Sequence, residues 1–340
     1  MKKLLSLLLV VALLCCCVGC SSKPADSPDT TTTTTVTTTT ATTTAITVEG
    51  SATVTTTQKT GVLTTKPTAT RVTSTSTTKS NTTSKPTTTT TAPPKANPVS
   101  DFKYGKYPDG KAVYISEYLG TAKDVVIPAT IDGLPVTAIS SCAFSTDTIA
   151  SVYIPDTVEF IANQAFYHAS NLTSVRFGSG LKTIDSQAFA RCESLQEIHL
   201  PRGLTTVGSN AFAACTSVKE ISIPKSVNNW GACCTFFGDY SVTSITFEEG
   251  IETIGSTQSF MNLKELETVT IPASVTFIAD YIFCGCEKLK TVYFKGDAPK
   301  TIKEFAFDNL EKNPDLVIYY PKNASGWDNT TLTEHTLVAY

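Results

Sequence analysis

A phenylalanine, usually preceded by alanine, returns every 22–25 residues along most of the chain. The eight positions that carry it are Phe144, Phe166, Phe189, Phe212, Phe237, Phe260, Phe283 and Phe307. A second marker, an apolar residue often followed by proline, keeps nearly the same step, for example at Ile154–Pro155, Leu200–Pro201 and Ile271–Pro272. Repetition of one unit at a fixed period of about 20–50 residues is the signature of a solenoid, in which each unit stacks on the next.

Each unit consists of a short strand, a second inward-facing segment and a corner. The strand follows L-x-x-V-x-I-P, as in residues 266–272, and its last apolar residues alternate with polar ones, as in a half-buried strand. A V-x-x-I segment follows, and Ala-Phe then opens the corner. One unit has no second layer against which to bury its apolar side, whereas stacked units share a continuous core. We therefore predict a β-rich solenoid: a right-handed coil of about eight repeats, with short strands on the concave face and a cap at each end.

One repeat, residues 188–201, holds a cysteine, two glutamates and a histidine, a set that hydrolases and metal sites also use. Cys192, however, follows its phenylalanine by three residues. The residues at the same position in other repeats are Ala169, Cys215, Leu263, Cys286 and Leu310. Such a column is apolar, because cysteine packs as a small hydrophobic residue. His199 lies between the inward Ile198 and Leu200, so strand alternation places it on the opposite face. The pattern predicts neither catalysis nor a metal site here.

The cysteines beyond residue 100 show no zinc-type C-x2-C spacing, and the sequence contains no G-x-S-x-G, H-E-x-x-H or phosphate-binding loop. We therefore predict no enzyme activity, no cofactor and no metal site. Cys192 and Cys215 occupy one column in neighbouring coils. Both a disulfide and two thiols remain open for this pair in an exported chain.

The N-terminus has the three parts of a secretory signal. Two lysines precede an apolar run over residues 4–14, and small residues precede Cys20. The Val-Gly-Cys at 18–20 is similar to a bacterial lipobox, in which cleavage before the cysteine leaves a thiol for lipid attachment. We predict a lipoprotein signal peptide over residues 1–20 and lipidation at Cys20, with simple secretion as the alternative. No later run is apolar and long enough to span a bilayer, so a lipid is the only predicted membrane anchor.

Residues 21–99 have the composition of a disordered linker or stalk. Thr accounts for 34 of these 79 residues, and large apolar side chains are rare. Such a segment cannot bury enough apolar surface to offset the entropy of ordering, and its Thr/Ser/Pro bias is typical of O-glycosylated stalks. Residues 101–340 hold 18 Lys/Arg and 27 Asp/Glu, a net charge of −9. An acidic domain lacks the electrostatic footprint of a nucleic-acid-binding protein.

Residues 195–215 follow the pattern L-x-x-I-x-I-P-x-x-V-x-x-I-x-x-x-A-F-x-x-C almost in full. This pattern resembles the BspA-type leucine-rich repeat, which is common in surface proteins of host-associated bacteria. Residues 124–144 are similar to the family's usual first repeat, and 319–327 are similar to its C-terminal tail. The resemblance covers roughly residues 120–325. It implies a solenoid that binds proteins or other macromolecules, in some members as an adhesin for host matrix proteins, and it implies no catalytic residues.

One repeat, residues 227–241, departs from the pattern because Trp230 fills an apolar slot and extra residues precede Phe237. We expect a bulge there. The repeat domain, 100–340, is predicted to begin with an N-terminal cap hairpin over 100–123. The repeats then occupy 124–321, and a C-terminal cap occupies 322–340.

The outward strand positions of the solenoid form the predicted ligand-binding surface, since Tyr and Arg favour interfaces. The candidate residues on this concave face are Tyr153, Arg176, Glu197, His199, Glu220, Tyr293 and Tyr319. Because coils stack about 4.8 Å apart, the charged members lie within a few coils of one another, and the two C-terminal tyrosines form a second patch.

Together these features predict a non-enzymatic binding protein that is exported, lipid-anchored to the cell membrane and exposed at the cell surface on its stalk. The predicted partner is a protein, either of the host matrix or of a bacterial surface, and no nucleic acid. The alternative is a glycan-binding accessory module of a secreted polysaccharide-degrading system. Two features motivate that alternative: the pair formed by Tyr293 and Tyr319, and the Thr-rich linker.

Overall fold

A computed structural model describes residues 94–238, 241–303, 305–307, 315–332 and 335–340. These residues belong to one compact unit, Ser84–Tyr340. The predicted signal peptide, the lipidation site Cys20, the stalk up to residue 93 and the core position Leu310 lie outside the described residues.

The described chain is a β-solenoid of about nine turns with almost no helix, which confirms the predicted fold class. The strands in chain order are β1 (Phe102–Lys106), β2 (Val113–Tyr118), β3 (Asp124–Val126), β4 (Thr130–Ile131), β5 (Leu134–Ile139), β6 (Ser151–Tyr153), β7 (Phe160–Ile161), β8 (Ser174–Arg176), β9 (Thr183–Ile184), β10 (Glu197–His199), β11 (Thr206–Val207), β12 (Glu220–Ile223), β13 (Asn229–Trp230), β14 (Ser244–Phe247), β15 (Thr253–Ile254), β16 (Thr268–Ile271), β17 (Phe277–Ile278), β18 (Thr291–Phe294), β19 (Thr301–Ile302), β20 (Val317–Tyr320) and β21 (Thr336–Ala339). Short 3-10 turns lie at Val99–Asp101 and Trp327–Asn329.

Strands of successive turns pair in two parallel ladders. The long-strand ladder consists of three sheets, β3-β6-β8, β10-β12-β14 and β16-β18-β20-β21. The short-strand ladder consists of β5-β7-β9-β11-β13, which extends the β1-β2 hairpin, and of a second sheet, β15-β17-β19. From β6 to β19, each turn of the solenoid therefore contributes one strand of three or four residues and one strand of two residues.

The third side of each turn is a corner, and its backbone is also hydrogen-bonded from turn to turn. For example, the amide of Phe166 donates to the carbonyl of Ala188 at 2.7 Å, and that of Phe189 donates to Ala211 at 2.8 Å. Two positions of the corner have left-handed backbone, one of them two residues before the phenylalanine and the other two residues after it. Those before it are Cys142, Gln164, Gln187, Asn210, Cys234, Gln258 and Tyr281, and those after it are His168, Arg191, Ala214, Gly238, Asn262 and Gly285. Left-handed backbone costs a residue other than glycine about 1–2 kcal/mol, and the hydrogen bonds between turns offset this cost.

The core is a column of stacked phenylalanine rings along the solenoid axis. Consecutive rings are 4.7–5.6 Å apart and within 16° of parallel. The members of the column are Phe144, Phe166, Phe189, Phe212, Phe236, Phe260, Phe283 and Phe307, all of them buried. The sequence interpretation that placed Phe237 in this column is wrong, since Phe237 is only partly buried and Phe236 stacks between Phe212 and Phe260. Left-handed backbone at Cys234 and Gly238, on either side of Phe236, gives it the same corner as the other phenylalanines.

The repeat around Trp230, where the sequence predicts a bulge, lies at a break in the short-strand ladder. Trp230 pairs with Val207 and so fills the usual apolar position. Phe236 follows Trp230 by six residues, and Phe260 follows Ile254 by six, whereas Phe212 follows Val207 by five. The regular pairing of this ladder stops between β13 and β15, where, among the described residues, a single bridge from Cys233 to Thr257 joins the two turns.

Both ends of the core are covered by strands that are not part of the regular repeat. At the N-terminal end, β1 and β2 form an antiparallel hairpin, and Tyr118 stacks on Phe144 at 5.5 Å. At the C-terminal end, β21 pairs with β20, and Trp327 is buried against Phe294 and Tyr320. These contacts shield the first and last turns from water.

Candidate ligand-binding face

Strand alternation produces two outward rows on the long-strand ladder. In β10, for example, Ile198 is buried while Glu197 and His199 are exposed, and β14 alternates in the same way. The pairing registers align the outward residues of successive turns, so that His199 lies beside Ser222, and Glu197 lies beside Glu220. We call this surface the outer face. All seven sequence-predicted site residues lie on it, at outward positions of β6, β8, β10, β12, β18 and β20.

At the N-terminal end of the outer face, Tyr153 and Arg176 form a pair. They are aligned in the register of β6 and β8, and the guanidinium carbon of Arg176 lies 5.0 Å from the centroid of the Tyr153 ring. A cation–π contact of this kind contributes about 0.5–1 kcal/mol at an exposed site. It also holds the long arginine side chain against the sheet, which lowers the entropy that a bound partner would have to remove.

The middle of the outer face carries a connected polar cluster. His199 Nε2 lies 3.1 Å from Glu197 Oε2, and its Nδ1 lies 3.3 Å from Ser222 Oγ. A carboxylate only accepts hydrogen bonds, so Nε2–H donates to Glu197, and a neutral ring accepts the Ser222 hydroxyl hydrogen at Nδ1. Glu220 stands next to Glu197 across the ladder. The sequence interpretation placed these acids and the imidazole together and put Ser222 in the same outward column as His199, but it did not include Ser222, which orients the ring, among the site residues.

The C-terminal end of the outer face is aromatic. Tyr293 and Tyr319 stack with their centroids 4.8 Å apart, and Tyr340 stands against Tyr293 at 6.5 Å and 73°. The Tyr340 hydroxyl donates to the Phe294 carbonyl at 3.1 Å, which fixes the ring. The spacing of the repeat does not identify Tyr340 as a site residue, because β21 does not follow that spacing.

The thiol and the imidazole of the 188–201 repeat lie in different parts of the molecule, as strand alternation predicts. Cys192 is fully buried, and its Sγ donates to the Phe166 carbonyl at 3.3 Å. Burial raises the pKa of this thiol to about 12. Cys215 makes the equivalent bond to Phe189 at 3.2 Å, and both residues are thiols rather than halves of a disulfide. Because the thiolate is the nucleophilic form, Cys192 and His199 cannot act as a catalytic pair.

No group of three or more His, Cys, Asp or Glu side chains in the described part of the chain is arranged to hold a metal ion. Within that same part, no helix has the length and apolar character needed to cross a membrane. The outer face is therefore characterised by an arginine–tyrosine pair, a carboxylate–imidazole cluster and an aromatic end. Such groups can bind a partner molecule through ion pairs, hydrogen bonds and ring contacts.

Comparison with known proteins agrees with this architecture. The sequence model described as "BspA type Leucine rich repeat region" matches six copies of the repeat, over residues 137–258 and 234–324. The chain belongs to the BspA-type leucine-rich repeat family. Leucine-rich repeat proteins of this kind are generally non-enzymatic.

Two solved structures are similar to this chain, and no curated protein matches it. A leucine-rich cell surface protein of Faecalibacterium prausnitzii A2-165 is 24% identical with a TM-score of 0.51, covering 68% of this chain and 72% of that one. This likeness shows the shared fold. A leucine-rich repeat protein of T. pallidum is 30% identical with a TM-score of 0.45, covering 59% of this chain and 86% of that one.

Proposed function

We propose that this protein is a non-enzymatic cell-surface binding protein that captures a protein ligand on the outer face of its leucine-rich repeat solenoid. Leucine-rich repeat proteins generally mediate protein interactions. The observation that carries the proposal is the charged patch of Tyr153, Arg176, Glu197, His199 and Glu220, which spans both outward rows. These residues occupy four successive strands of one ladder, β6, β8, β10 and β12.

Several properties of this charged patch suit a protein partner. Arginine and tyrosine are enriched among the residues that dominate binding energy at protein interfaces. Charges of both signs lie close together, which favours a partner with a complementary pattern and suppresses binding of others. The contacts of Arg176 with Tyr153, and of His199 with Glu197 and Ser222, already hold these side chains in place. Less conformational entropy is therefore lost when a partner binds.

The test begins with immobilised protein, exposed separately to host extracellular-matrix proteins and to bacterial surface extracts. Any ligand recovered is then titrated against the double variant Arg176→Ala/Glu197→Ala. Loss of central contacts of this type commonly costs about 2 kcal/mol or more, so we expect affinity to fall at least about 30-fold. The matched control is Glu159→Ala/Lys182→Ala, which removes the same charges from exposed positions beside the short-strand ladder. Equal affinities for the two double variants would contradict the proposed site.

We also propose that the chain is exported, anchored by a lipid on Cys20 and displayed at the cell surface by its Thr-rich stalk. The signal-like N-terminus and the Val-Gly-Cys sequence support this. The Faecalibacterium prausnitzii protein of the same fold is described as a cell surface protein. In a bacterial host, Cys20→Ser is expected to abolish incorporation of labelled fatty acid and to release the protein from membranes. Label retained by the variant would place the anchor elsewhere.

A further inference from the structure

The C-terminal half of the outer face differs in chemistry from the half that carries Arg176 and Glu197. From β14 onward its outward residues include hydroxyls and phenols but no carboxylate, ammonium, guanidinium or imidazole group. We call this surface the hydroxyl–tyrosine strip. Its members are Ser244, Thr246, Thr268, Thr270, Thr291, Tyr293, Val317, Tyr319, Thr336, Val338 and the adjacent Tyr340.

The strip is regular along the solenoid axis. Register pairs place Thr268 beside Thr291 and Thr270 beside Tyr293. The next pairs continue the second row from Tyr293 to Tyr319 and on to Val338. Neighbouring strands of a sheet lie about 4.8 Å apart, so the strip offers similar hydroxyl groups at constant intervals over several turns. A ligand with its own repeating unit can meet such a surface at several successive points.

The aromatic end of the strip leaves ring surface available. Tyr293 is 39% exposed and Tyr340 is 53% exposed, although both are held by ring contacts. The planes of the two rings meet at 73°, so Tyr293 and Tyr340 form an angled pair beside the threonine rows. Tyr320, by contrast, turns towards the interior and stacks on the buried Trp327 at 4.7 Å. The exposed tyrosines are thus not required to fill the core, yet they are held rigidly in place.

We propose that the hydroxyl–tyrosine strip binds a neutral polysaccharide chain. The polysaccharide lies across the turns, and one of its sugar rings packs against the angled pair of Tyr293 and Tyr340. The C–H face of a pyranose ring packs on the negative face of an aromatic ring, and sugar hydroxyls exchange hydrogen bonds with threonine hydroxyls. The strip contains no cation to recognise a sulfate or carboxylate, and the net charge of −9 over residues 101–340 repels polyanions. This site lies beyond the charged patch proposed to bind protein, and it does not depend on that patch.

The experiment uses affinity electrophoresis and isothermal titration calorimetry of the full chain. The probes are neutral β-linked polysaccharides (hydroxyethylcellulose, mixed-linkage β-glucan and xyloglucan) and two anionic ones, polygalacturonate and heparin. We expect retardation by at least one neutral polymer and by neither anionic polymer. The proposal would be overturned if none of the neutral polymers slowed migration of the protein, or if only the anionic polymers slowed it.

Variants locate the binding. Tyr293→Ala is expected to weaken retention by the neutral polymer at least ten-fold. Its matched control is Tyr107→Ala, which removes a tyrosine of nearly equal exposure, 38%, from the N-terminal hairpin. Thr268→Glu is a second variant that leaves the packed rings intact and introduces bulk and charge into the strip; it too is expected to weaken binding. Circular dichroism establishes that each variant is folded. Unchanged binding in folded Thr268→Glu would contradict the assignment.

The polysaccharide site and the protein site are distinguished by the Arg176→Ala/Glu197→Ala variant. This variant is expected to bind the neutral polymer like the wild-type chain, even if a protein ligand is lost. Loss of polymer binding in this variant, with retention in Tyr293→Ala, would place the polysaccharide on the charged half of the outer face and overturn the assignment to the strip.

Discussion

The cysteines of this chain differ in reactivity because the repeat gives them different surroundings. Cys192 lies in the core, where burial raises its pKa to about 12. Cys233 is only partly buried, at the break in the short-strand ladder. A hydrogen bond from the neighbouring Cys234 stabilises its thiolate and lowers its pKa to about 7. At neutral pH about half of Cys233 is therefore in the nucleophilic form, and almost none of Cys192 is.

Alkylation followed by site-resolved mass spectrometry tests this difference. Because its pKa is lowered, Cys233 in the folded protein should react at a half-maximal rate near pH 7, and about ten-fold more slowly for each pH unit below that. Cys192 should react only after denaturation. Cys234→Ala removes the hydrogen-bond donor and should shift the Cys233 midpoint to higher pH. Equal labelling of Cys192 and Cys233 in the folded protein would mean that the column position of Cys192 is wrong.

Much of this residue-level detail could be predicted from the sequence, because residues that are one period of 22–25 residues apart occupy equivalent positions in neighbouring turns. It predicted correctly that Cys192, Cys215 and Cys286 are core positions and that His199 faces outward. The hydrogen bonds from the thiols to carbonyls of the preceding turn are not encoded in the period. They depend on the left-handed corner, which brings a carbonyl over the cysteine.

At the scale of the element, the corner determines the register of every turn. Its left-handed positions were not predicted, because Gln, His, Arg and Ala rarely adopt this backbone. A signal was nevertheless present, since Gly238 and Gly285 occupy the second left-handed position, and Asn262 occupies it as well. Gly238 follows Phe236 by two residues, and this spacing would have identified Phe236 rather than Phe237 as the core residue.

Two adjacent alanines test the cost of the corner. Ala214 has a φ of 61°, where Cβ is unfavourable, whereas Ala213 lies outside the left-handed region. Ala214→Gly should raise the free energy of unfolding by about 0.5–1 kcal/mol, because relief of the left-handed penalty exceeds the entropy that glycine adds to the unfolded chain. Ala213→Gly should lower it by about 0.5–1 kcal/mol. Urea denaturation measures both, and destabilisation of equal size in the two variants would contradict the corner geometry.

At the scale of the whole molecule, the solenoid separates a packed interior from a surface that is free to vary. Each turn contacts mainly its neighbours, so stability accumulates turn by turn while outward residues change without disturbing the core. The outer face therefore carries a charged half and a hydroxyl–tyrosine half on one ladder. The sequence predicted the rows of this face from strand alternation. It did not predict the angled pair of Tyr293 and Tyr340, because β21 lies outside the repeat and its register depends on the chain's return to β20.

We propose that the protein ligand binds the outer face and not the corner side, and two histidines allow a direct test. His199 lies on the outer face and His168 on a corner, and their side chains are 53% and 50% exposed. Labelling with diethyl pyrocarbonate, with and without a bound protein ligand, reports the burial of each ring. We expect bound ligand to slow the labelling of His199 several-fold and to leave His168 unchanged. Protection of His168 with continued labelling of His199 would contradict the account.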